Sequence, residues 1–205
     1  MKGKLITFEG IEGCGKSTQA RLLAEYFERR GKEVFLTREP GGPQISEKIR
    51  EILLSNENEE MLARTEVLLY AASRSQHTGE WIMPAMKDGK IVISDRYYDS
   101  TLAYQGAARK IDRKVIDSIT RFATFDIKPE ITILIDIPVE TGLSRIKRKD
   151  ADRLERESID FHRKVRRAFL ELAKEEERYI VIDGTRSIDA INKEIILRIE
   201  ERIIP

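Results

Sequence analysis

Gly10-Ile11-Glu12-Gly13-Cys14-Gly15-Lys16-Ser17 sets glycines, a lysine and a hydroxyl in the order G-x-x-x-x-G-K-[ST]. Glycines let a backbone wind tightly around an anion, so that successive N–H groups point inward. A helix starting after the loop adds the positive end of its dipole. Lys16 then reaches the outer phosphates of a nucleoside triphosphate, and the Ser17 hydroxyl sits on Mg2+. The stretch reads as a P-loop. Cys14, with no histidine or second cysteine beside it, reads as a small side chain filling the loop.

A second group of residues suits an acceptor. Asp95-Arg96-Tyr97 closes the apolar run Ile91-Val92-Ile93-Ser94. At the carboxyl end of a parallel strand, an aspartate can hold the water shell of Mg2+ or take a proton from the attacking group. The arginine beside it can grip a phosphate through a fork of two hydrogen bonds. Asp136 ends a similar run, but Ile137-Pro138 follow it and no polar site forms there, so Asp95 is preferred. Arg96, Ser100 and Tyr104 are spaced four apart, with Thr101 and Gln105 alongside; on a helix they share a face fit for a phosphate, a sugar and a base edge. Tyr70 and Arg74 likewise share a helix face, offering a ring to stack and a planar donor.

The run Lys147-Arg148-Lys149-Asp150-Ala151-Asp152-Arg153 lies between two helical patterns. Phosphoryl transfer runs on positioning and charge neutralisation, often with a mobile arginine brought over the γ-phosphate. The variable P-loop positions 11–14 hold no arginine, so a short basic lid over about residues 147–155 would supply it.

These groups need a frame. Short apolar runs at residues 5–8, 33–37, 91–94, 131–135 and 179–182 read as strands, the last three as strands covered on both faces. Helical periods fill residues 18–30, 45–54 and 60–86, the last with a break or kink at Pro84. Strand and helix alternate throughout, with no repeat and no linker, so the chain reads as one α/β domain over residues 1–205 with a parallel sheet wrapped by helices.

Among 205 residues, 37 Lys+Arg nearly cancel 36 Asp+Glu, a formal charge of +1. No global field draws such a protein onto nucleic acid or an anionic membrane. The single cysteine removes every intramolecular disulfide and fits a reducing compartment. No run approaches the roughly 20 apolar residues of a membrane span. The expected setting is cytoplasmic.

P-loops serve GTPases, motor ATPases and small-molecule kinases. The chain holds no Asn-Lys-x-Asp run to read guanine and is short for a motor, which leaves a kinase with a small acceptor. A nucleotide-dependent switch protein is the rival of another class; the Asp-Arg-Tyr face and basic lid are surplus on that view.

The linked motifs resemble one family, thymidylate kinase of the bacterial type. The likeness runs through Phe8-Glu9-Gly10 into the P-loop, Arg38-Glu39-Pro40-Gly41-Gly42, residues 66–77, Asp95 to Gly106, Asp152-Arg153-Leu154-Glu155 and Phe161-His162-Arg163. It implies ATP + dTMP → ADP + dTDP with Mg2+, on a five-stranded parallel sheet of the P-loop NTPase fold, as a homodimer without nucleic acid or membrane partners. By position it implies ATP against Gly10, Ile11, Glu12, Gly13, Cys14, Gly15, Lys16, Ser17 and Thr18, with Arg145 stacking on adenine. Arg38 and Arg96 would hold the dTMP phosphate, Tyr70 would stack on thymine, and Arg74 and Gln105 would meet its edge. Ser100 and Thr101 would line the same acceptor site, and Tyr104 would crowd the 2′ position of the sugar. Glu12 would sit near the acceptor sugar and phosphate, Asp95 with Ser17 near the metal, and Arg153 as the lid arginine. Two positions depart from the family pattern: Pro43 replaces a threonine, and Ser73 stands where Asp is common before Arg74.

Overall fold

A computed structural model describes residues 3–147 and 151–203. The apolar runs form β1 (Lys4–Glu9), β2 (Val34–Arg38), β3 (Ile91–Asp95), β4 (Ile131–Asp136) and β5 (Tyr179–Asp183). All pair in parallel, in the order β2-β3-β1-β4-β5. Successive strand residues face opposite ways, so the unbroken burial of residues 131–135 means that β4 is covered on both faces. The same holds for the middle of β3. On β5 it fails at Val181, which is exposed: β5 is an edge strand with one neighbour, and the flanking helices leave its margin open.

The helices are α1 (Lys16–Arg29), α2 (Gln44–Leu54), α3 (Ala63–His77), α4 (Met83–Lys87), α5 (Tyr98–Thr101), α6 (Arg113–Thr124), α7 (Val139–Ser144), α8 (Ile159–Glu175) and α9 (Ile188–Ile203). The Ser158 hydroxyl accepts from Phe161 N and starts α8. The helix expected over residues 60–86 divides into α3, a π-helical turn Thr78–Ile82, and α4. Pro84 lies in the first turn of α4, where a missing N–H costs little, and the widened turn before it makes room for the ring.

The sheet register sets out the site. Phe8 and Arg38 both pair with Asp95, so the carboxyl ends of β1, β2 and β3 finish level. The glycine loop leaves β1 there and feeds α1 through Gly15 at φ 97°. On its far side the loop is pressed against α7: a Cβ on Gly142 would lie 2.4 Å from the Glu12 carbonyl, and one on Gly13 2.2 Å from the Gly142 carbonyl. Neither position has room for a side chain.

Candidate active site

The loop of residues 10–15 is held closed from inside. Lys16 curls over it, its Nζ donating to the Ile11 carbonyl at 2.8 Å, with the Cys14 sulfur 3.5 Å away. Cys14 is buried against Gly10 and fills the loop. Thr18 lies half-buried in the first turn of α1. At the mouth of the loop the Ser17 hydroxyl donates to Asp95 Oδ2, bringing α1 and β3 together at one pair of oxygens. Asp136 has no such freedom, since Arg166 of α8 grips both its oxygens at 2.6 and 2.8 Å. Arg145 donates to the Gly13 carbonyl at 2.9 Å from the exposed flank of the loop.

Arg96 leaves β3 in a left-handed turn, φ 71°. That turn sends its guanidinium back over the P-loop, where it donates to Gly10 O at 3.1 Å, Ser100 Oγ at 3.0 Å, Glu12 Oε1 at 3.1 Å and Tyr104 Oη at 3.2 Å. The expected convergence of residues 96, 100 and 104 therefore occurs, but by another route. Only residues 98–101 are α-helical, residues 102–108 form a π-helix, and Arg96 precedes both. The Tyr104 hydroxyl donates to Glu12 Oε1. Burial of Glu12 opposes its charge, but the His162 ring, with Nδ1 3.2 Å from Oε2, and the charges of Arg96 and Lys16 outweigh it, so its carboxyl stays well below the usual carboxylate range. Glu12 is thus an anion set between two cations at the cradle.

Beneath Arg96 lies Glu9, fully buried, accepting from Tyr97 N at 2.8 Å and Ser100 Oγ at 2.6 Å. Burial, and then the Asp99 charge, push its carboxyl up to about 7. Asp99 is itself buried and forked by Arg178 at 2.7 and 2.8 Å.

The cleft in front of the loop is lined by Lys16, Ser17, Arg38, Tyr70, Arg74, Asp95, Arg96, Ser100, Thr101, Tyr104 and Gln105 together. Arg74 is fixed on three sides: Nε donates to Glu39 at 2.7 Å, Nη1 to Thr101 Oγ1 at 2.9 Å and Nη2 to the Tyr97 carbonyl at 3.2 Å. Arg74 is thus held by Glu39 with no aspartate at position 73, and the Ser73 hydroxyl has no partner. Arg38 is forked onto Glu47 at 2.8 and 3.1 Å, and Glu47 also accepts from Gly42 N in the turn before Pro43. Burial pushes the Tyr70 phenol up, which keeps the ring neutral.

Arg153 departs from its expected place. It does not line the cleft: Nη1 is 2.7 Å from Glu66, Nε donates to the Leu53 carbonyl at 3.0 Å, and the side chain is buried. A buried carboxylate across α2 attracts it more strongly than open solvent above the loop. Asp152, Leu154 and Glu155 line the cleft instead. Residues 148–150 of the expected lid lie outside the described residues.

Five further residues belong to the site: Glu9, Glu39, Glu66 and His162, which the sequence offered only as members of the family's motifs with no role, and Arg50, which drew no notice, lining the cleft and donating to the Pro40 carbonyl at 2.7 Å. Glu66, at four-residue spacing before Tyr70 and Arg74, could have been found by the same helix-face argument.

The sequence matches the Thymidylate kinase family over residues 8–195. It is 47% identical to the thymidylate kinase of Pelobacter propionicus over 205 residues, covering 96% of this chain and 94% of that protein. It is 48% identical to that of Carboxydothermus hydrogenoformans over 196 residues, covering 95% and 96%. The crystal structure of thymidylate kinase from Ehrlichia chaffeensis superposes with a TM-score of 0.80 at 33% identity, over 97% of this chain and all of that one. A P-loop NTPase sheet, a glycine cradle facing an arginine-lined cleft and these likenesses agree, and the chain belongs to the thymidylate kinase family, whose reaction is the phosphorylation of dTMP to dTDP.

Proposed function

We propose that this chain carries out its family's reaction by direct in-line transfer from ATP to dTMP across the cleft in front of the loop, with no covalent enzyme intermediate. The observation that carries this reading is Arg96, which touches the P-loop backbone at Gly10 and the acceptor-side groups Ser100 and Tyr104 at once. A phosphate monoester is already an anionic nucleophile near neutral pH, so little base catalysis is required. The task is to bring two polyanions together and neutralise them. Lys16 takes the donor phosphates, Arg96 and Arg38 the acceptor phosphate, and Arg50 adds a further cation on that side. Glu12 holds Arg96 and Tyr104 in place beside the sugar. Tyr70 stacks on the base, and Arg74, Thr101 and Gln105 line its edge. Arg145 flanks the loop where adenine would lie. Arg153 reaches the γ-phosphate only by exchanging Glu66 for it.

The Ser17 hydroxyl and Asp95 carboxylate, already in contact, suit a hard cation. Two protein oxygens are too few to hold Mg2+ alone, so nucleotide phosphates and water complete its shell; once bound, the ion neutralises donor charge. A homodimer is supported by exposed apolar side chains on the packed helices α3 and α6 and just after α6: Leu68, Val115, Phe122 and Phe125. Among the described residues no helix is long and apolar enough to cross a membrane. The single cysteine accords with a cytoplasmic setting.

The test is ADP release from ATP against a panel of nucleoside monophosphates, with Mg2+ and with excess chelator. Release greatest with dTMP and lost on chelation is expected. Preference for another monophosphate would overturn the base contacts, and full activity in chelator the metal assignment.

A further inference from the structure

Glu66 is wholly buried on α3. Its carboxylate accepts from Gln105 Nε2 at 2.8 Å, from Arg109 Nε and Nη2 at 3.2 Å each, and lies 2.7 Å from Arg153 Nη1. Burial opposes the charge, but hydrogen bonds from Arg109 and Gln105 and the charges of the two arginines prevail, and the carboxyl sits below its ordinary range. An ionised carboxylate can only accept hydrogen bonds. A glutamine amide offers a donor end and an acceptor end, and the two are free to swap unless a neighbour decides between them. Here the neighbour decides: the NH2 end must face Glu66, which leaves Oε1 as the end for the cleft that Gln105 lines.

An acceptor in that position requires an N–H from its ligand. Thymine and uracil carry N3–H, whereas cytosine carries a bare N3 acceptor, which would meet Oε1 lone pair to lone pair. We propose that Glu66 is the positioning residue that sets the choice of dTMP over dCMP, by fixing the direction of the Gln105 amide without touching the base itself. This rests on the reading that Gln105 meets the base edge, with Oε1 facing N3 and not the 4-position, where cytosine carries an amino group.

The substitution Glu66→Gln tests it. Arg109 and Arg153 compete for the one oxygen of the new amide, so its NH2 turns toward Gln105. Gln105 then presents Oε1 to position 66 and its own NH2 to the cleft. The kcat/KM ratio of dTMP over dCMP should fall at least about tenfold, the scale on which one mispaired buried hydrogen bond discriminates. The ratio of dTMP over dUMP should hold, since both bases carry N3–H. Glu66→Asp, which keeps an acceptor-only group, should retain the dTMP over dCMP preference. Arg109→Met, which loses a cation but not the carboxylate, should retain it as well.

A folded Glu66→Gln enzyme with an unchanged dTMP over dCMP ratio overturns the proposal. So does a parallel loss with both substrates, or an equal shift in Arg109→Met. Should Glu66→Gln fail to fold, the comparison is made between Arg109→Met and Arg109→Met with Glu66→Gln, where Arg153 alone takes the amide oxygen and the NH2 faces Gln105, and the same tenfold fall is required. Gln105→Met separates the two readings. If it keeps the wild-type ratio, Gln105 does not read the base, and the proposal falls with the base-site assignment; if it loses the ratio while Glu66→Gln keeps it, the base-site assignment stands and the role of Glu66 alone falls.

Discussion

Glu9 ties the turn after β3 to β1, and its protonation should be visible as stability. Burial and then Asp99 raise its carboxyl from 4.5 to about 7, with Arg96 and the hydrogen bonds from Ser100 and Tyr97 only partly offsetting them. The folded protein therefore keeps this proton where the unfolded chain has released it. Above the unfolded value the native state binds more protons, so stability falls as pH climbs from 4.5 to about 7 and levels off beyond. At about 1.4 kcal/mol for each tenfold step in proton affinity, the whole loss is about 3 kcal/mol. Most of it falls between about pH 5 and about pH 8. Glu9→Gln keeps an oxygen to accept from Tyr97 N and cannot ionise. Urea unfolding of both proteins at the two pH values isolates the contribution, since the other titrating groups are common to both. The wild type should lose roughly 2–3 kcal/mol more than the variant over this interval. Equal losses would show that Glu9 does not titrate there, and that Asp99 spends its charge on Arg178 alone.

Lys16→Ala should lower kcat at least about a hundredfold in ADP release with dTMP, the range seen for a lost electrostatic donor; a near-normal rate would remove Lys16 from the donor site. Tyr70→Ala should act on the acceptor, raising KM for dTMP about tenfold with a smaller change in kcat, and an unchanged KM would argue against stacking. Phe122 is 85% exposed on α6, and Phe122→Asp should shift the mass measured by sedimentation from dimer to monomer. A dimer that survives the change would place the interface on another face.

All five strands were legible to within a residue or two at each end, because their apolar runs are short and bounded by polar residues or turns. The P-loop was legible because its chemistry depends on residue types at fixed spacing. The π-helical stretch of residues 102–108 was not, since Arg96, Ser100 and Tyr104 carry the spacing of an ordinary helix. The packing of residues 102–108 against α8 is tertiary, and no local periodicity reports it. The supporting carboxylates escaped for a similar reason. Glu39 meets Arg74 across 35 positions and Glu9 meets Tyr97 across 88, distances that only the sheet closes. Arg153 was read from its neighbours in the chain, whereas Glu66, 87 positions earlier, decides where it rests.

The strand order also has a consequence for synthesis. β1 lies in the middle of the sheet, yet it is made first, and both its neighbours, β3 and β4, come later in the chain. β2 pairs with β3 alone. Until residue 91 leaves the ribosome, no strand of this sheet has met a partner. A chain synthesised only as far as residue 90 therefore carries the whole glycine motif and no paired strand to frame it. Contacts of such long sequence separation form slowly, and the apolar β1 stays open to aggregation while it waits. The cleft in which nucleotide would bind is assembled only once β3 has docked and brought Asp95 and Arg96 to the loop.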